Sequence, residues 1–256
     1  MAMQLEALTG LVVHHLNDSR SQRIIWLLEE LEVPYIIKKY QRLPSQLAPP
    51  ELKAIHPLGK SPIITDGDLT LAESGAIVEY IIAKYGKGRA KPPESGYLDN
   101  LYYTHYAEGT LGPLLVWKYI LTLSPNHSPI SDQPVARTVC NNIISGMIDK
   151  QLETSFAMVS QPSNRIHPHI GEGVDIWPPP RNHQIDKHMQ KVSGGWFAGG
   201  DEPTSADYMM IFGMEMASSR GSVPENIKKY VDRVHAMPSY RRGLEKGGEY
   251  SYAPKL

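Results

Sequence analysis

His56-Pro57-Leu58-Gly59-Lys60-Ser61-Pro62-Ile63-Ile64, followed by Glu73-Ser74-Gly75, is the stretch that decides the fold of this 256-residue chain. Ser61-Pro62 opens a short apolar strand, and Asp66-Gly67 separates it from a second apolar run, Leu69 to Ala72. Asp-Gly between two strand-like segments is a hairpin signal, because glycine accepts positive φ at little cost. Glu73-Ser74 then opens a helix. Ile77, Tyr80, Ile81 and Lys84 recur at helical spacing, and Gly86 is a natural stop. Proline pushes Ser61 to an extended conformation. A cis Ser61-Pro62 bond, the minority state for X-Pro, would turn the Ser61 main-chain groups toward a ligand. The free N–H groups and the Ser74 hydroxyl at the helix start make an anion site, and Glu73 adds an acceptor for an ammonium group. This surface suits a ligand with a peptide backbone, a carboxylate and an amine.

Upstream, residues 11–16 read as a first strand, and Asn17-Asp18-Ser19 are three helix-capping residues in a row. Ile24, Leu27, Leu28 and Leu31 form the apolar face of a first helix, with Arg23, Glu29 and Glu30 opposed to it. Val33-Pro34 ends that helix, and residues 35–40 read as a second strand. A short helix is expected near Pro49-Pro50-Glu51. The pattern is βαβ, short helix, ββα, with a parallel pair from the crossover and an antiparallel pair from the hairpin. Gly86 to Ser95 reads as a linker. Beyond it the periodicity is helical: Tyr97 to Ile120 with a break near Gly112-Pro113, Val135 to Val159, a shorter helix over Asp186 to Val192, one opened by Pro224, and a last one from Tyr240 to Lys246. Thr204 with Asp207 has the form of a capping box. Residues 161–183 have little periodicity. They read as a surface insertion, a lid over a pocket, or a gene-model artefact.

The formal net charge of −1 gives no case for nucleic acid or an anionic membrane. Cys140 is the single cysteine, which excludes an internal disulfide and fits a reducing, cytoplasmic setting. The start lacks the pattern of a secretory signal, and no apolar run is long enough to span a bilayer. His14-His15 and the His167, His169 pair lack partners at metal-ligand spacing, so no metal site is expected. There is no Gly-rich phosphate loop, no Cys-x-x-Cys and no Gly-x-Ser-x-Gly elbow.

The decisive stretch, with Ser19-Arg20-Ser21-Gln22-Arg23 upstream, resembles the glutathione-binding domain of the cytosolic glutathione transferases. It is most similar to the fungal and bacterial serine-type branch, whose loop reads His-Pro-Leu-Gly-(Lys/Arg)-Ser-Pro. The resemblance implies an α/β thioredoxin-like domain over 8–88, a linker at 89–95 and an all-helical domain over 96–256. It also implies glutathione as cosubstrate with no permanently bound cofactor, a hydrophobic electrophile as the second substrate, and a homodimer.

On residue chemistry alone Ser19 is first a helix cap, with Asn17 and Ser21 as neighbours that shift into the same role. The resemblance makes Ser19 the catalytic hydroxyl, which donates to a thiolate at the positive end of the first helix. Asp18 would oppose that thiolate unless it points away. By resemblance Ser74 takes the glutamyl carboxylate, Glu73 its amine, Ser61 the cysteinyl backbone, and Lys60, with Lys53 and His56 as alternatives, the glycine carboxylate. Arg20 is a further contact for an anionic substrate, though both it and Arg23 are more commonly solvated charges. Tyr103, Tyr106 and Trp117 belong to an aromatic stripe that either fills the core or lines the electrophile pocket. Met209, Met210, Met214 and Met216 read as core. The rival reading is a glutathione-binding regulatory protein of the same fold with little catalysis; the roughly ten residues before the first strand favour the enzyme.

Overall fold

The computed structural model describes residues 10–158, 195–220 and 223–253. Within them, β1 (Leu11–Leu16), β2 (Ile36–Tyr40), β3 (Ile63–Asp66) and β4 (Leu69–Ala72) form one sheet in the order β2-β1-β3-β4. β1 and β2 are parallel, with Val13 opposite Ile37. β1 and β3 are antiparallel, with Val13 opposite Ile64, and β3 and β4 close the hairpin at Gly67, where φ is +60°. Helix α1 (Ser21–Glu30) crosses between β1 and β2, α2 (Glu51–Ile55) follows β2, and α3 (Ser74–Tyr85) follows β4. This is the βαβ, short helix, ββα order that the spacing predicts, and the thioredoxin-like domain that the resemblance implies.

Helices fill the rest. They are α4 (Tyr97–Tyr106), α5 (Gly112–Leu123), α6 (Gln133–Ile143), α7 (Asp149–Met158), α8 (Ser205–Arg220), α9 (Glu225–Ala236) and α10 (Pro238–Gly247). The break expected near Gly112-Pro113 is a widened turn over Ala107–Leu111. Pro113 has no N–H for the helix ladder, so the backbone loosens ahead of it. A Cβ at Gly112 would come within 2.8 Å of the Ala107 carbonyl oxygen, so the turn needs glycine there. The expected insertion at 161–183 and the helix over 186–192 lie outside the described residues.

α1 is enclosed. It packs against the sheet, α3, α8 and α10, and Ile24, Ile25, Trp26, Leu27 and Leu28 are all fully buried. Here the sequence reading needs correction. Arg23 and Glu29, taken from the periodicity as a polar face opposite the core, are buried too. The reason is that a second layer of helices covers that face and brings its own charges. Glu29 meets Arg242 at 3.0 Å, Tyr35 at 2.7 Å and Lys246, while Arg23 meets Glu108 at 2.9 Å. Burial works against the Glu29 carboxylate, yet these donors hold its pKa below the ordinary value. Trp26, Tyr208 and Tyr240 stack tilted and edge-on where α1, α8 and α10 meet. Met209, Met210, Met214 and Met216 are core residues of α8. The capping box at its start is formed: the Asp207 carboxylate accepts from Thr204 N at 2.9 Å and from Phe197 N at 3.0 Å.

Candidate active site at the start of the first helix

β1 ends at Leu16, and the chain turns through Asn17 and Asp18 into α1. Asp18 has φ +49°, a conformation that Asp tolerates better than most residues. Ser19 sits inside this turn and is buried. Its hydroxyl donates to Leu16 O at 2.8 Å and accepts from Ser21 N at 3.2 Å. The Ser21 hydroxyl lies 2.7 Å from Ser19 Oγ and 2.7 Å from His15 Nδ1. A hydroxyl chain therefore runs from the imidazole to Ser19. Burial, aided by Lys39 and opposed by Asp18, pushes His15 down to about 4, so the ring is neutral at ordinary pH. His14 faces the other side of the strand, bonded to Tyr40 at 2.9 Å, and is also pushed down to about 4 by burial and Lys38. The two adjacent histidines thus serve opposite faces of β1, and among the described residues no His, Cys, Asp and Glu group could hold a metal ion.

The alternatives to Ser19 are placed differently. Asn17 is turned to Arg42, accepting from its N–H at 2.8 Å through Oδ1. Ser21 is fully enclosed. Asp18 is held by the far end of the chain: its carboxylate accepts from Ser251 N at 2.6 Å and from Ser251 Oγ at 2.9 Å. Arg42 adds bonds to Asn17 O at 3.2 Å and Asp18 O at 3.1 Å. Two remote segments therefore fix the turn that carries Ser19. Neither Arg42 nor Ser251 has a sequence signal of its own, since each acts through a contact made only on folding.

Ser61 comes to the same place. Its hydroxyl donates to His14 O at 2.9 Å, accepts from Leu16 N at 3.3 Å, and lies 3.4 Å from Ser19 Oγ. The Ser61-Pro62 peptide bond is cis. Two residues on, Ile63 pairs with Ala72, which places Glu73 and Ser74 at the same end of the hairpin. Glu73 is exposed and has φ +74°, a backbone conformation that costs a non-glycine residue about 1–3 kcal/mol and collects at ligand sites. Ser74, buried, starts α3. Lys60 is exposed, and His56 is half-buried in the preceding turn with its Nδ1 3.4 Å from Leu58 N. Ser19, Ser61, Glu73 and Ser74 thus fall along one edge, with Lys60 and His56 on the loop leading into it.

The helical side of the candidate site has a different character. Arg20 and Arg23, three apart on α1, both reach Glu108 at 2.9 Å. Their guanidinium carbons lie 5.7 and 5.4 Å from the centre of the Phe212 ring. With Val116 and Met216 these residues line a small, partly open depression. Tyr103, Tyr106 and Trp117, which the sequence assigns either to the core or to an electrophile pocket, do not line this depression. Tyr103 and Tyr106 are core residues, with Tyr103 packed 4.8 Å from Phe197, and Trp117 is 58% exposed on α5. Glu108 and Phe212 are what sequence reasoning missed here, for they meet Arg20 only through the packing of α1 on the helices.

Residues 8–83 match the family model for the glutathione S-transferase N-terminal domain. The chain is 34% identical to glutathione S-transferase 3 of Schizosaccharomyces pombe over 92% of its length and 87% of the relative's. It is 30% identical to glutathione S-transferase 1 of Saccharomyces cerevisiae over 91% of its length and 94% of the relative's. A Phanerochaete chrysosporium glutathione transferase solved with oxidized glutathione superposes with a TM-score of 0.63 at 15% identity, covering 93% of this chain and 95% of that one, a likeness of fold. With the sheet, the helical layer and the edge at Ser19, Ser61, Glu73 and Ser74 in place, these matches show that the chain belongs to the glutathione transferase family.

Proposed function

We propose that this chain is a serine-type glutathione transferase in which Ser19 donates a hydrogen bond to the glutathione thiolate. The observation that carries the reading is the Ser19 hydroxyl at the start of α1, 3.4 Å from Ser61 Oγ and fed by Ser21 and His15 behind it. The helix terminus and the hydroxyl both favour the anion over the thiol. Ser74 takes the glutamyl carboxylate and Glu73 the glutamyl amine. Ser61 takes the cysteinyl backbone, and Lys60 with His56 lies toward the glycine carboxylate. The thiolate attacks an electrophilic carbon of a hydrophobic cosubstrate, a C–S bond forms, and the leaving group departs with its electron pair. Peroxide reduction is a second use of the same thiolate: one peroxide and two glutathiones give an alcohol, water and oxidized glutathione.

The wider role is detoxification in the cytoplasm by a homodimer, with a thioredoxin-like unit over 8–88 and a helical unit over 96–256 as its domains. Leu98, Leu101 and Tyr102 leave an apolar strip exposed on α4 that supports self-association. None of the described helices is long and apolar enough to cross a membrane.

One observation favours a second reading, glutathione binding without turnover: Ser19 is only 4% exposed and its hydroxyl donates to Leu16 O. A conjugation assay with an aromatic electrophile, run with a calorimetric glutathione titration, decides between the two. Turnover that collapses in Ser19→Ala while glutathione still binds supports the transferase. Tight binding with no turnover supports the binding protein, and no binding sinks both.

A further inference from the structure

Resting on the transferase reading above, we propose that the electrophile taken by this site carries a carboxylate on an aromatic or unsaturated body, and that Arg20 and Arg23 receive it. Arg20, the residue that precedes α1, and Arg23 in its first turn are three apart on one face, directly after Ser19. Both reach Glu108 at 2.9 Å, so one carboxylate serves two guanidinium groups and the trio has a formal charge of +1. Arg23 is 2% exposed, and its Nε has no hydrogen-bond partner among the described residues. Its other contact is a 3.5 Å approach of Nη1 to the sulfur of Met209, a weak acceptor. A buried guanidinium short of acceptors is costly, and an anion delivered to it recovers that cost. Burial lowers the Arg23 pKa from its ordinary value, and Glu108 pulls it back up.

The surroundings specify the rest of the ligand. The small depression beside Arg20 has its charged side at Arg20, Arg23 and Glu108 and an apolar side at Val116, Phe212 and Met216. A planar body lying over this depression would meet its apolar side with the ring and the half-exposed Arg20 with its carboxylate. Arg20 has a side chain 33% exposed and remains reachable from the cleft. The nearby Asp18 carboxylate is already occupied by Ser251, which reduces its repulsion of an incoming anion. For an aryl halide the thiolate forms a C–S bond at the halogen-bearing carbon, halide leaves with the C–X electron pair, and the ring carboxylate is unchanged. It serves for binding and orientation.

The test compares 4-chloro-3,5-dinitrobenzoate with its methyl ester, each rate divided by its own uncatalysed rate with glutathione. A charge-assisted contact in a half-open site predicts an acid-to-ester ratio of about tenfold for the wild type. Arg20→Met brings the ratio to about one, Arg20→Lys keeps part of it, and Glu108→Gln raises it by freeing the guanidinium groups. If the arginines only clamp α1 to the helices, the variants change both substrates together and leave the ratio where it was; that result overturns the proposal. A wild-type ratio of one or below overturns it as well while leaving the transferase intact. Turnover of neither compound despite tight glutathione binding is a failure of the transferase reading itself, and this inference falls with it.

Discussion

The two walls of the cleft are built on opposite plans. The sheet wall presents main-chain groups and small hydroxyls from three short segments, Asn17 to Ser19, Ser61, and Glu73 with Ser74. The helical wall presents long side chains, Arg20, Arg23, Glu108 and Phe212, gathered from α1, the turn after α4, and α8. The first plan suits a ligand part that never changes, because backbone geometry tolerates little variation. The second suits a part that varies, because side chains can be exchanged without disturbing the fold. A glutathione-like constant half and a variable electrophile would divide between the walls in this way.

Several measurements break or sharpen that contrast. The largest effect is expected on the sheet wall. Loss of one preorganised donor costs on the order of 10²–10³ in rate, so Ser19→Ala should lose that much in kcat with glutathione affinity nearly intact. Retained turnover would remove the hydroxyl from the chemistry. Next is the hidden face of α1. Glu29→Ala leaves Arg242 and Lys246 facing an empty buried position, and because both are half exposed we expect roughly 2 kcal/mol of lost stability, read as a lower Tm. A Tm within a degree of wild type would mean that this charge cluster contributes little.

Acid should loosen the sheet wall. His14 and His15 sit at about 4 when folded against 6.5 ordinarily, so the unfolded chain takes up more protons between those values. Their contribution is fully present above 6.5 and is lost as pH falls toward 4, on the order of a few kcal/mol together. Asp207, raised by burial to about 6, works the other way over part of that range but is one group against two. Denaturant melts from pH 7 to 4.5 should therefore show falling stability, and His15→Gln should flatten the curve. A flat wild-type curve contradicts the burial argument. The smallest effect belongs to the hydroxyl chain: Ser21→Ala should lower kcat by about fivefold, about one weak hydrogen bond, without changing the Tm by more than a few degrees. No change in kcat would make Ser21 a packing residue only.

The same division explains what could be read before folding. The hairpin turn at Gly67, the proline strand start and the Ser74 helix start follow from local rules, and the sheet order obeys them. The same local rules mark Ser19 only as a helix cap at a strand–helix junction; its catalytic assignment comes from the family resemblance. Arg23 and Glu29 escape that reading because periodicity records an apolar stripe but not a second layer that supplies partners for the polar one. Tyr103 and Trp117 illustrate the same limit: one stripe of aromatics holds both a core ring and an exposed one, and only the packing of α4 and α5 separates them. Arg42 and Ser251, which fix the turn around Ser19, come from 25 and 233 residues away along the chain, where no local pattern reaches.

The ionisation of bound glutathione tests the central claim most directly. The ultraviolet thiolate absorbance of the protein–glutathione complex can be titrated for the wild type and for Ser19→Ala. A free thiol titrates near 8.5, and we expect the bound one to fall to about 6.5–7 in the wild type and to return most of the way in the variant. A bound thiol that titrates at the same pH in both proteins would contradict the role assigned to Ser19.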